Sequence, residues 1–105
     1  MEIEKLIHLF ETLRDVDSEM PISKVIALLM VAKHGQMTLT EWGDKAGISP
    51  ATATRYAVEL SKPLRDKEKG LGFISSERDP ENRRKVLVNM STKGRNFINR
   101  LLGTE

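Results

Sequence analysis

Two clusters of side chains in this sequence could do chemistry, and both suit binding an anion better than making or breaking a bond. The first is Ser49-Pro50-Ala51-Thr52-Ala53-Thr54-Arg55, short hydroxyl donors followed by a guanidinium. The second is the run Arg83-Arg84-Lys85, directly after Asp79-Pro80-Glu81-Asn82. Hydroxyls and the free N–H groups of a helix start suit phosphate oxygens, and an arginine can take guanine O6 and N7 together. Catalytic patterns do not occur. There is no glycine-rich phosphate loop and no nucleophile elbow, so no enzymatic activity is expected. His8 and His34 lie far apart, there is no cysteine, and no spaced carboxylate set stands beside either histidine, so neither a metal nor another cofactor is expected. Aromatic residues are 5% of the chain, too few for a base-stacking platform that would hold single strands.

The hydroxyl cluster needs a helix start beneath it. Ser49 is suited to the N-cap and Pro50 to the first helical position, while Ala53, Tyr56, Ala57 and Leu60 recur at the spacing of a buried stripe. At ~100° per residue that stripe leaves Ala51, Arg55, Val58 and Lys62 pointing outward, with Thr52 and Thr54 on the flanks. Arg55 is the expected base reader, and the Ala51 methyl could touch a thymine methyl. Ser49, Pro50, Thr52, Thr54 and Lys62 complete the expected DNA-facing set on this helix. Just upstream, Thr38 stands three residues before Glu41 in the capping-box pattern, with Met37 and Trp42 as a hydrophobic staple, and Gly47 closes that shorter helix. Only Gly47-Ile48-Ser49 separates the two, which predicts a sharp helix-turn-helix corner.

The basic cluster needs a hairpin. Pro63 should end or kink the hydroxyl-bearing helix, and the charged stretch Lys62 to Lys69 leads to Gly70 and Gly72. Beyond them the apolar period becomes two: Phe73 to Arg78 reads as a strand, Asp79 to Asn82 as a turn, and Arg83 to Met90 as the return strand, with Val86, Val88 and Met90 on one face. Strand alternation would send Arg84 to one side and Arg83 and Lys85 to the other. Arg84 is expected in a narrow A·T-rich minor groove, and Arg83 or Lys85 on phosphate.

The remaining segments read as helices. Ile3, Leu6, Ile7, Phe10 and Leu13 form an apolar stripe over Glu2 to Leu13, and Asp15 to Met20 is the break. Pro21 suits the first turn of a helix through His34 that is apolar enough to be buried on most sides. Ser91 caps a last helix whose stripe is Phe97, Ile98, Leu101 and Leu102, closed by Gly103. The expected fold class is mainly α with a small antiparallel β-hairpin, a winged helix-turn-helix, in a single domain over residues 1–105.

With 39% apolar and 30% charged residues, 105 residues can bury one modest core. Net charge is only +2, yet residues 1–48 carry five Lys/Arg against eight Asp/Glu while residues 49–105 carry twelve against seven. The basic half is the one holding both clusters, an asymmetry that suggests a polyanion surface. Absent cysteines, an acidic amphipathic N-terminus and a longest apolar run of only Val25 to Ala32 make a cytoplasmic protein with no membrane partner the expectation.

From about Pro21 to Leu102 the chain resembles the MarR-type transcriptional regulators. The resemblance rests on Met37-Thr38-Leu39-Thr40-Glu41-Trp42, on Gly47 through Arg55, on Arg78-Asp79-Pro80-Glu81-Asn82-Arg83-Arg84, and on Met90-Ser91-Thr92-Lys93-Gly94. It implies a winged helix, double-stranded DNA as partner, and a wing arginine, here Arg84, aimed at the minor groove. The chain departs from the family pattern in having Asn82 where an Asp is usual, Ser76 where its Arg partner is usual, and a longer link between Leu60 and Phe73. The function expected is sequence-specific DNA binding by a transcriptional regulator, as a homodimer on a palindromic site. Its seam would be Ile3, Leu6, Ile7 and Phe10 with Phe97, Ile98, Leu101 and Leu102. A winged helix used as a protein-interaction module, or a non-specific architectural DNA binder, are the alternatives. Nothing in the sequence supports a small-molecule effector.

Overall fold

Local capping chemistry sets most of the element boundaries. The computed structural model describes residues 2–61 and 70–103. In chain order they form α1 (Ile3–Val16), α2 (Ile22–His34), β1 (Met37–Thr38), α3 (Leu39–Ala46), α4 (Pro50–Leu60), β2 (Ile74–Arg78), β3 (Val86–Met90) and α5 (Thr92–Leu102). Thr38, Ser49 and Ser91 each accept a hydrogen bond from the N–H three residues on, as N-caps do. Thr38 also donates to Glu41 Oε1 at 3.0 Å, so only half of the expected capping box forms: the hydroxyl caps the Glu41 N–H, but the Glu41 carboxylate takes the hydroxyl rather than the Thr38 backbone N–H. Gly47, with φ 71°, ends α3 in the left-handed conformation, and that is what turns the chain sharply enough to start α4 at Pro50.

Boundaries of both N-terminal helices differ from expectation. Helix α1 continues to Val16, because the Asp17 N–H still reaches the Leu13 carbonyl. Pro21 is the N-cap of α2 rather than its first residue, its carbonyl accepting from Lys24 and Val25.

The wing is a three-stranded antiparallel sheet in the order β1-β3-β2, not a bare hairpin. Met37 pairs with Val88 and Thr38 with Leu87, so the residues entering α3 also form an edge strand. Strand β2 begins at Ile74, since the Phe73 N–H turns away from the ladder to the Leu60 carbonyl; the Phe73 ring stacks on Phe97 of α5 with centroids 4.4 Å apart. Strand β3 begins only at Val86, so Arg83, Arg84 and Lys85 lie in the tip and the alternation argument does not reach them. The N-terminal part of β2 is tied to the end of α4 by Phe73 N–H to Leu60 O at 2.8 Å and Gly72 N–H to Ser61 O at 3.2 Å. At Gly94 a Cβ would land on the Phe73 carbonyl, which explains a glycine inside α5.

Trp42, Leu28, Leu60, Ile74, Val31 and Val88 are the largest wholly buried side chains, and the Trp42 indole N–H donates to the Ala27 carbonyl at 2.7 Å. The core therefore joins α2, α3, α4 and the sheet. Phe97, Ile98 and Leu101, expected at a seam between subunits, belong to this core instead, because α5 packs its stripe inward. Leu102 alone of that stripe faces out, 62% exposed. Helix α1 does the reverse: it buries Thr12 and Leu13 and leaves Ile3, Leu6, Ile7 and Phe10 exposed. His8 Nε2 lies 3.0 Å from the Arg100 carbonyl, linking α1 to α5. Helix α2 is not buried on most sides, for Ile22, Ile26 and Leu29 form an exposed stripe opposite the core-facing Ala27, Leu28 and Val31.

Candidate nucleic-acid interface

The first turn of α4 is ordered by its own hydroxyls. Ser49 Oγ accepts from the Thr52 N–H at 3.1 Å and donates to Thr52 Oγ1 at 3.0 Å, while Thr54 Oγ1 donates to the Pro50 carbonyl at 3.0 Å. These contacts fix the side chains without burying them. Ser49, Pro50, Ala51, Thr54, Arg55 and Val58 are exposed and Thr52 is half-buried, while Ala53, Tyr56, Ala57 and Leu60 turn to the core. The outward face thus has the composition that helical periodicity predicts. Lys62, expected on the same face, lies outside the described residues.

Arg55 is the one cation on that exposed face among the described residues, its side chain 62% exposed. Its guanidinium carbon sits 5.3 Å from the centre of the Tyr56 ring, and Nε is 3.9 Å from Glu59 Oε1. The Tyr56 hydroxyl is 2.6 Å from Ser23 Oγ, so it points toward α2. Glu59, Lys24 and Ser23 belong to no sequence motif, and sequence reasoning misses them; the only signal is Glu59 standing four residues after Arg55.

At the wing tip, backbone and side-chain bonds build two tight turns in succession. Asp79 Oδ1 accepts from the Glu81 N–H at 2.9 Å, and Asn82 Oδ1 from the Arg84 N–H at 3.2 Å. Asp79 N–H to Lys85 O and Lys85 N–H to Asn82 O, both 2.9 Å, close the loop. Arg78 Nη1 donates to the Arg83 carbonyl at 2.8 Å, bracing the tip from β2. Arg78 is thus one of three side chains, with Asp79 and Asn82, whose hydrogen bonds hold the tip. Arg83, Arg84 and Lys85 are all exposed. Arg84 and Lys85 also line a groove of about 270 Å³ with Thr38, Leu39, Thr40 and Glu41, so one side of the wing tip and the first turn of α3 share one surface.

Nothing among the described residues groups three His, Cys, Asp or Glu side chains for a metal, and no described helix is long and apolar enough to cross a membrane. The surface offers cations, hydroxyls and a helix start, the groups that meet phosphates and base edges.

Neither a protein-family model nor a curated protein matches the sequence. Solved structures do match in shape. RV1404 from Mycobacterium tuberculosis superposes with a TM-score of 0.72 at 19% identity, covering 95% of this chain and 63% of its own. A mutant MarR from E. coli, solved with operator DNA, gives 0.71 at 19% identity, covering 96% and 65%. YusO from Bacillus subtilis gives 0.71 at 16% identity, covering 96% and 64%. The chain thus spans a little under two thirds of the length of these structures. The likeness establishes the fold as that of the MarR-type winged helix.

Proposed function

We propose that this chain is a sequence-specific double-stranded DNA-binding protein that regulates transcription, acting as a homodimer on a palindromic site. The observation that carries the reading is the outward face of α4, where Arg55 projects beside a capped, hydroxyl-lined helix start. The likeness to a MarR mutant solved with operator DNA supports it. Helix α4 enters the major groove with Arg55 on a guanine, Ser49, Thr52 and Thr54 near phosphates, and Ala51 against a thymine methyl. Arg83, Arg84 and Lys85 reach the backbone and minor groove from the wing tip.

Selection of bound duplexes from a random pool, read by sequencing, tests this directly. A recovered palindrome is the expected result; recovery without sequence preference would mean architectural binding, and no recovery would move the protein-interaction reading ahead. On the recovered site, Arg55→Ala is expected to weaken binding by about 1–3 kcal/mol and to relax preference at one base position. Equal losses on cognate and unrelated DNA would make Arg55 a phosphate contact.

The dimer rests on α1. Ile3, Leu6, Ile7 and Phe10 recur at helical spacing, and Phe10 remains 54% exposed, so α1 carries an apolar stripe that a second copy would cover; Leu102 of α5 is exposed as well. Because Phe97, Ile98 and Leu101 are in the core, a variant there tests folding rather than association. Phe10→Asp is therefore the probe, expected to give a folded monomer where the parent sediments as a dimer. A parent that is monomeric at micromolar concentration sinks the homodimer.

A further inference from the structure

The recognition arginine is held from behind by a second helix. Glu59, one turn along α4, places Oε1 3.9 Å from Arg55 Nε and 3.1 Å from Lys24 Nζ. Lys24 comes from α2, and its side chain is only 8% exposed. Lys24 Nζ and the Arg55 guanidinium carbon lie 5.4 and 5.3 Å from the centre of the same Tyr56 ring, whose hydroxyl meets Ser23 of α2. An arginine on the exposed face is thus connected, through one carboxylate and one ring, to a buried lysine on another helix.

We infer that Glu59, anchored by Lys24, is a positioning residue for Arg55, setting the direction from which the guanidinium meets a base edge and so contributing to specificity without touching DNA. The inference rests on the proposed role of Arg55 as base reader. The two halves of the cluster differ in strength. Lys24 and Glu59 are close and shielded from water on the lysine side, whereas the Arg55 side is solvent-exposed. An arginine followed by a glutamate four residues later is also the weaker order for a helical ion pair, worth roughly twofold in an equilibrium. A bidentate guanine contact is worth roughly five- to 150-fold in discrimination. Glu59 can therefore bias the arginine's orientation but cannot withhold it from a base. Its carboxylate also repels phosphate whatever the sequence, so removing it has two effects of opposite sign: affinity for any DNA rises and discrimination falls.

The test is a double-mutant cycle on the discrimination ratio, the affinity for the selected site over that for the same site with the Arg55-dependent base pair changed. Glu59→Gln, which keeps an oxygen for Lys24, is expected to lower the ratio by roughly twofold, the full worth of the Arg55–Glu59 pair, while binding to unrelated DNA tightens. Glu59→Asp keeps the charge but shortens the reach, so it should lower the ratio without that tightening. In an Arg55→Ala background, Glu59→Gln should leave the ratio unchanged. Partial unfolding scales both affinities alike and cannot move the ratio. If Arg55→Ala abolishes discrimination while Glu59→Gln leaves it intact, Arg55 reads its base unaided and the inference is overturned. Equal losses with and without Arg55 would likewise overturn it, because Glu59 would then act on its own. A ratio that does not respond to Arg55→Ala removes the base-reading role itself, and the positioning role with it.

Discussion

Replacing Trp42 by alanine is expected to cost about 3–5 kcal/mol of folding stability, the range for emptying a buried tryptophan site. Trp42 has no exposed surface, and its ring fills the space between α3 and α2 while its indole N–H satisfies the Ala27 carbonyl. Both contributions are lost together. A domain of this size has a total stability of roughly 5–15 kcal/mol, so the loss is at least about a fifth of it. The melting temperature should fall by on the order of 15 °C, read by circular dichroism. Trp42→Phe separates the two contributions, since it keeps most of the volume and removes only the indole bond to a carbonyl that α2 still pairs within its own ladder, at an expected cost of about 0.5–1.5 kcal/mol. A Trp42→Ala protein that loses less than about 1 kcal/mol would show that α3 is not anchored through this side chain. The consequence reaches function, because α3 and the turn at Gly47 orient the first residues of α4.

The second large effect is expected at the wing, where Arg83, Arg84 and Lys85 replaced together by alanine should make the dependence of DNA affinity on salt much shallower. Each phosphate contact contributes about 0.9 to the slope of log affinity against log salt, so the slope should drop by roughly two, one of the three side chains lying in the groove. The loss of affinity is largest at low salt. The tip should keep its shape, because every hydrogen bond that these three residues make within it uses their backbone: the Arg83 carbonyl, the Arg84 N–H, and the Lys85 N–H and carbonyl. The side chains that hold the turns, Arg78, Asp79 and Asn82, are untouched. Coincident slopes for parent and variant, with the variant folded by circular dichroism, would take the wing off DNA and favour an acidic protein partner.

Within the candidate site, the residues on α4 were legible because helical periodicity needs no information beyond the chain itself. Once Ala53, Tyr56, Ala57 and Leu60 are buried, Arg55 must point away from them. The network behind Arg55 was not legible. Lys24 and Glu59 meet only because α2 and α4 pack side by side, and no spacing in the sequence records a contact across that distance.

What this sequence determined by itself is therefore what local chemistry decides. Thr38, Ser49 and Ser91 cap helices through bonds that span three residues, and Gly47 and Gly103 end helices because a left-handed residue costs glycine little. The same holds for the turn at Asp79 to Asn82 and the apolar alternation of Val86, Val88 and Met90 in β3. Tertiary structure decided what covers each apolar stripe. The stripes of α1 and α5 look alike in sequence, yet α5 is seated on the core and α1 shows Ile3, Leu6, Ile7 and Phe10 to solvent. An amphipathic pattern states which face seeks cover and carries nothing about the covering surface. Tertiary structure also made a strand of Met37–Thr38, whose two residues are too few for any period and are extended because Leu87 and Val88 lie alongside. It removed Arg83, Arg84 and Lys85 from strand β3 for the same kind of reason: ladder pairing stops at Arg78 with Val86, and beyond that pair turn bonds govern where the cations point.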